Sequence, residues 1–507
     1  MESQKLLYVV IFKLVDTGLA FIFFYFMVIF YEPNAIGKVR FAISFVAIFS
    51  FIFNLRFNIA HLKIYPESEE KAACIGTLMF YKAFFISIAL IFYFVLLSFL
   101  NFSPIVLTLI IIFMFEQIIQ GVNNGLINIL VANNETIKGT FPWIINTILK
   151  IILLILFQIN LKTNEITLAI SYIAGTSINM ILLLMYCIPY KIAKPTKVLL
   201  LKYLKYAYPL TLSTITIYVS QNIGIVLINF WISSEAVAFY YAGEHLSVFR
   251  TIIPNMINLV MISIFSKNIA NNNLEKNKDL IKKISKYACI LFTGIILLSF
   301  LYSDEIILLM IGENYRESIL IFNILILSHL IIINDTAVYA DLNARGLTKL
   351  FSLINIIGEL YNIFLTVIFI APNGLNLGIN GVALAILVRN ATYFPIIRFF
   401  LWKKYNYTYN FGILQCLFAC FIVYILNSFF EIDYLLIDYF YLIPIFMLLN
   451  LLLYLGVLFV IRGIRREDLK YLKLMFHNKE RSKHKFQLRR IYKFKSLIII
   501  IYPNLYR

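Results

Sequence analysis

The sequence predicts an all-α polytopic membrane protein with about 14 transmembrane helices. Three observations carry this. Hydrophobic residues make up 61% of the 507 positions and charged residues 14%, against about a quarter in soluble domains. Apolar runs long enough to cross the hydrocarbon core, roughly 20 residues each, follow one another along the chain. Lys and Arg gather in the short connections between these runs, on alternate sides. A soluble core could not bury this much apolar surface, because single cores stop growing near ~250–300 residues. The 47 Phe and 33 Tyr suit helices that meet lipid tails and headgroups.

The apolar run Leu6 to Tyr31 is too long for a cleaved signal peptide and lacks a small-residue cleavage site, so it reads as a retained first helix over 6–30. Five more spans follow at 39–55, 76–98, 105–130, 141–160 and 166–188. They form an N-terminal six-helix lobe, 1–188. A basic linker, 189–205, carries Lys191, Lys194, Lys197, Lys202 and Lys205. A second six-helix lobe, 206–400, holds spans at 206–231, 239–264, 287–302, 318–342, 351–371 and 379–400. Two additional helices, 410–428 and 436–461, fill the segment 401–461. The basic tail 462–507 ends in a polybasic run and the stretch Leu497 to Ile501, which is too short to span. The tail either lies on the anionic inner leaflet or serves as a solubilising extension.

With a cytoplasmic N-terminus, 35 of the 44 Lys and Arg fall on the cytoplasmic side, 14 of them in the tail. The outer connections hold only Lys38, Arg40, Lys162 and Arg316. This is the positive-inside pattern of a multi-pass protein of the cell membrane with both termini cytoplasmic. The net charge of +18 is then topological, not a nucleic-acid footprint. The five cysteines and five histidines show no metal-ligand or redox spacing, so no metal and no cofactor are expected. The glycosylation patterns at Asn101, Asn134 and Asn406 fall on the cytoplasmic side or in a very short outer loop and are not expected to be modified.

Two stretches look alike at an offset of 201: Tyr31 to Ser50 and Trp231 to Arg250. Ala35-Ile36-Gly37 aligns with Ala236-Val237-Ala238, and Ala42 with Gly243. In both, a short outer loop leads into a helix with small residues on its first turns. The repeat enters from the same side twice, so it is parallel, and it suggests paired lobes with a site between them.

A charge at mid-membrane costs at least ~2.5–3.5 kcal/mol on insertion scales, which makes each one a functional candidate. The first half contains Lys13, Asp16, Lys82, Glu116 and Lys150; the second contains Glu244, Arg250, Asp335, Glu359 and Arg389. Lys13 and Asp16 share a helix face and either neutralise each other or line a cavity. Glu116, Gln120, Asn123 and Asn124 form one polar stripe that must face water or another helix. Lys13, Lys82, Lys150, Arg250 and Arg389 are candidates to hold an anionic headgroup, and the polar stripe to meet sugar hydroxyls. Arg56, with His61 at the exit of the second helix, either sets topology or offers phosphate a planar fork. Pro254, four residues after Arg250, bends its helix. With Asp16, Glu244, Asp335 and Glu359 it is a candidate for gating or charge pairing.

The segments IGKVRFAISFVAIFSFIFNLRFNIAHLK, Ile36 to Lys63, and CIGTLMFYKAFF, Cys74 to Phe85, resemble the start of lipid-linked oligosaccharide flippases. These O-antigen-flippase-like proteins belong to the multidrug/oligosaccharidyl-lipid/polysaccharide exporter superfamily, and the form here is similar to archaeal members. Ser233 to Phe249, Ala344 to Val388 and the 14-helix pattern add to the likeness. The resemblance implies two six-helix bundles around a central cavity, alternating access, and a monomer. Many relatives carry an acid in the seventh helix; this chain departs from them with Gln221 and Asn222, so a coupling role for an acid there does not carry over and ion coupling stays open. The expected substrate is a polyprenyl (dolichyl-type) phosphate- or diphosphate-linked oligosaccharide, moved without bond chemistry. The alternatives are a multidrug or cation antiporter of the same fold, which would want an acidic cavity, and a membrane glycan polymerase or glycosyltransferase. The enzyme reading would want a large outer loop, whereas the longest here is about 303–317.

Overall fold

Lipid offers no partner for backbone N–H and C=O groups, so a chain this apolar must close its hydrogen bonds within helices. The computed structural model describes residues 2–464 and 468, apart from 54, 161–162, 272, 408–411 and 430–441. The described residues form α-helices with short 3-10 turns and no strand. Eleven of the helices are long and apolar enough to cross a membrane, and one bent pair makes a twelfth span.

The first half runs α1 (Glu2–Phe30), α2 (Pro33–Phe49), α3 (Phe57–Glu67), α4 (Lys71–Phe99), α5 (Pro104–Ala132), α6 (Thr136–Ile159) and α7 (Glu165–Cys187). Pro33 opens α2 at a position where its missing N–H costs nothing. The helix then breaks in a 3-10 turn, Ser50–Ile52, and the Lys82 ammonium donates to the carbonyl of Phe53 (3.1 Å). The continuation, α3, lies beyond the apolar span Pro33–Ile52. An Asn164–Thr167 capping box starts α7.

The second half runs α8 (Lys197–Trp231), α9 (Ser234–Leu246), α10 (Phe249–Ala270), α11 (Leu274–Leu301), α12 (Ser303–Ile311), α13 (Ser318–Ile332), α14 (Thr336–Ala344), α15 (Thr348–Ile370) and α16 (Asn380–Tyr405). Thr196 caps α8, so the helix claims Lys197, Lys202 and Lys205 from the expected linker. The starts of α2 and α9, Pro33 and Ser234, stand 201 positions apart, the offset of the repeat.

Two expected spans are interrupted. The span 239–264 is two helices, α9 and α10, parted at Ser247–Val248, where the Ser247 hydroxyl donates to its own chain at Glu244. Pro254, inside α10, has no N–H for the carbonyl of Arg250. The span 318–342 is the pair α13 and α14, bent by 50° through a 3-10 turn at Ile333–Asp335. Two last helices, α17 (Gly412–Phe429) and α18 (Ile443–Val460), follow. The basic tail lies outside the described residues except for 462–464 and Asp468.

The chain divides into two compact units, Met1–Ser285 with Tyr302–Thr408, and Lys286–Leu301 with Tyr409–Arg507. In the first, α1 packs on α6, and α5 and α6 on α7. In its later part, α8 packs on α15, α10 on α14, and α13 on α16. The seam between the halves is α2, which packs against both α8 and α9. At Gly37 an added Cβ would stand 1.6 Å from the carbonyl oxygen of Ser234, so only hydrogen fits there. In the second unit α17 and α18 are joined by a reciprocal amide pair, Asn427 and Asn450 (2.7 and 2.9 Å). Tyr454 reaches across Gly294 and donates to the carbonyl of Ile290 (3.0 Å).

Candidate functional site

Where α1, α2, α6 and α7 meet α9 and α10, the first unit encloses a cavity of about 410 Å³. Its charged lining is Arg40, Lys150 and Arg250 against the single carboxylate Glu244, with Tyr172, Tyr241 and His245 between them.

Arg40 comes from the second turn of α2. Its guanidinium lies 3.8 Å over the ring of Tyr241, contacts the Tyr172 hydroxyl, and feels the Glu244 carboxylate. Its Nε is buried with no hydrogen-bond partner. Arg250, only 7% exposed, makes one long contact to the carbonyl of Leu325 (3.5 Å). Its Nε too is buried and unpartnered. Buried donors are ordinarily satisfied, and both arginines depart from this beside the cavity.

Lys150 rises from α6 to 4.8 Å over the ring of Tyr172. Gly175 makes room for it, since a Cβ there would stand 2.8 Å from the lysine stem. The ammonium lies in the field of Glu116 and Asp16. Glu116 is buried and accepts from Gln120 (2.7 Å), Thr176 (2.7 Å) and Gln117 (3.3 Å). Asp16 accepts from Thr147 (2.9 Å), itself a lining residue. His245 packs against the ring of Phe24 at 4.3 Å and closes the α1 side.

The sequence-derived candidates divide accordingly. Lys150, Arg250 and Glu244 line the cavity, and Asp16 and Glu116 support it from behind. The remaining candidates lie off its lining. Lys13 is exposed and forms no ion pair with Asp16, which has turned to α6 instead. Lys82 is buried and committed to the break in α2. Arg56 donates to Thr214 across the seam between α3 and α8 (2.8 Å). Arg389 pairs with Glu359 (3.2 Å) and Asn390 (3.0 Å), and Asp335 with Arg398 (3.1 Å). In the polar stripe Asn123 donates to the carbonyl of Thr176 (3.1 Å) and so ties α5 to α7, while the backbone carbonyl of Asn124 accepts from Asn128 within α5 (2.6 Å). Pro254 lies in α10 one turn beyond Arg250.

Sequence reasoning missed Arg40, Tyr172 and Tyr241. Arg40 is not an outer-loop charge but part of α2. The repeat held the signal: Arg40 and Tyr241 are equivalent at the offset of 201, and they meet face to face. Among the described residues no group of three or more His, Cys, Asp or Glu could hold a metal ion.

The family model described as polysaccharide biosynthesis protein matches residues 3–269. No curated protein matches the chain. Among solved structures, the chain is similar to the lipid II flippase MurJ in an inward closed conformation, with a TM-score of 0.72 and 15% identity over 92% of this chain and 99% of that one. It is also similar to an inward-facing multidrug resistance MATE family transporter of the MOP superfamily, with a TM-score of 0.63 and 14% identity over 77% and 94%. A MOP superfamily transporter from Pyrococcus furiosus follows, with a TM-score of 0.51 and 13% identity over 79% and 96%.

Proposed function

Because the chain belongs to the polysaccharide biosynthesis protein family, we propose that it is a flippase for a polyprenyl (dolichyl-type) phosphate- or diphosphate-linked oligosaccharide. It carries this substrate from the cytoplasmic to the outer leaflet for cell-surface polysaccharide or glycoprotein glycan assembly. The observation that carries the reading is the pair of arginines in a cavity between the halves, half-buried Arg40 and buried Arg250, each with a buried, unpartnered Nε. Bare transfer of a phosphate and its sugars across ~30 Å of hydrocarbon is prohibitive, because every polar group would lose water. Guanidinium groups replace that hydration with charge-assisted bonds to phosphate oxygens. Lys150 adds a third cation, and the tyrosines offer hydroxyls and flat faces to sugars.

The two lobes, 1–188 and 206–400, rock about this site so that it opens to one side and then the other. The lipid tail stays in the bilayer, and no bond is made or broken. The protein works as a monomer in the cell membrane with both termini cytoplasmic, its basic tail on the anionic inner leaflet. A lining of three cations against one carboxylate suits an organic cation poorly, which disfavours the antiporter reading.

Reconstitution tests the proposal. Purified protein in liposomes should accelerate the loss of a fluorescent lipid-linked oligosaccharide from the side reached by an impermeant reagent. Rates equal to protein-free vesicles would sink it.

A further inference from the structure

A second cavity, of about 460 Å³, lies apart from the charged one and shares no lining residue with it. It is bounded by α4 (Ile75, Met79), α5 (Leu126, Ile129), α7 (Leu184, Met185) and the segment just after α7. Its two polar side chains are already committed. The Cys187 thiol faces the carbonyl of Leu126 (3.8 Å), and the Tyr190 hydroxyl donates to Glu135 (2.8 Å). The groove therefore presents hydrocarbon alone, and water would find no partner in it. Leu184, Met185 and Ile188 are 45%, 58% and 78% exposed, so the groove opens outward along a membrane-spanning helix.

The end of the groove is basic. Tyr190 and Ile192 line it, and Lys191 and Lys194, beside them in the chain, are exposed. Neither lysine has an acidic partner within ion-pair distance among the described residues. Glu135, at the rim, is occupied by Lys138 (2.8 Å) and Tyr190. The backbone that carries the two lysines is pinned. The Ala193 N–H donates to the carbonyl of Ala72 (3.0 Å), and Gly76 lets the Ala193 carbonyl approach so closely that a Cβ would stand 1.8 Å away. An apolar trough that ends at two exposed cations on a pinned backbone, with no ion-pair partner among the described residues, is complementary to one kind of molecule: a lipid with a hydrocarbon chain and an anionic headgroup.

We propose that this groove is a binding site for an anionic phospholipid of the membrane. One acyl chain lies along Met79, Ile129 and Leu184, and the phosphate rests on Lys191 and Lys194. The site is separate from the transported substrate and holds the segment joining the two halves against α4.

Native mass spectrometry of the delipidated full-length protein tests this with phosphatidylglycerol and phosphatidylcholine of matched chains. Phosphatidylglycerol should bind more tightly. Lys191→Gln with Lys194→Gln should weaken it about 30-fold while leaving phosphatidylcholine unchanged, as expected for two basic residues near a lipid headgroup. Both lysines are exposed, so this variant keeps its fold. Leu184→Trp, which fills the groove from the lipid side, should weaken both lipids. Equal affinity for the two lipids would overturn the proposal, as would full phosphatidylglycerol binding by the lysine variant. Displacement of phosphatidylglycerol by an equal amount of polyprenyl phosphate would assign the groove to the substrate's tail instead, and would also overturn it.

Discussion

Arg40 and Arg250 each keep a buried Nε–H without an acceptor, whereas Lys82 has its partner in the carbonyl of Phe53. The two kinds of cation should respond differently to truncation. Arg40→Ala or Arg250→Ala should slow flipping about tenfold or more with the melting temperature nearly unchanged, since a charge-assisted bond to the substrate is worth ~1.5–3 kcal/mol. Lys82→Ala should instead cost ~1–3 kcal/mol of stability, because it strands a buried carbonyl, and this would appear in thermal melts. His61, in α3, is fully buried against the Tyr203 hydroxyl (2.9 Å). Burial lowers its imidazole from 6.5 to about 4. The unfolded chain takes up this proton first, so stability is intact above pH 6.5 and declines as pH falls towards 4. The full effect is on the order of 3 kcal/mol. Melting temperatures across that window should fall in the native protein and fall less in His61→Gln. That intramembrane charges mattered was legible in the sequence. Which of them share a cavity was not, because partners such as Lys82 and Phe53 depend on a break in α2 that no hydropathy window resolves.

Among the helices, α2 is the element on which both halves bear. Its closest approach is Gly37 to the backbone of Ser234, where no rotamer change can relieve a clash. Gly37→Val should therefore destabilise by about 3 kcal/mol, the upper end for ordinary overpacking. It should also raise the reactivity of a cysteine placed at Ser234. A variant that melts and labels like the native chain would show that the halves do not meet there. The interrupted elements were the hardest to read in advance. Hydropathy treats 239–264 as one run, because a side chain that bonds its own backbone, as Ser247 does, leaves the average apolarity intact. The repeat lay nearer to the structure than apolarity did: α2 and α9 begin at its offset of 201, at Pro33 and Ser234 and not at 39 and 239, and Arg40 meets Tyr241 at the same offset.

For the molecule as a whole, alternation of charge predicts which connections share a side. Single cysteines at Lys162 and Lys278 should react with an impermeant maleimide from opposite faces of oriented vesicles. Reaction of both from one face would refute the topology. The all-α membrane fold was legible because apolar length and loop charge are properties of the chain alone. The cavity was not, since it is built from side chains far apart in sequence, Arg40 with Tyr241 and Lys150 with Tyr172. The bond from Lys82 to Phe53 bears on how the protein is made. The second span ends in a carbonyl whose partner arrives 29 residues later, on the next span. During synthesis the second helix cannot reach its finished form until the third has left the ribosome, so the two should leave the translocon for the bilayer as a pair.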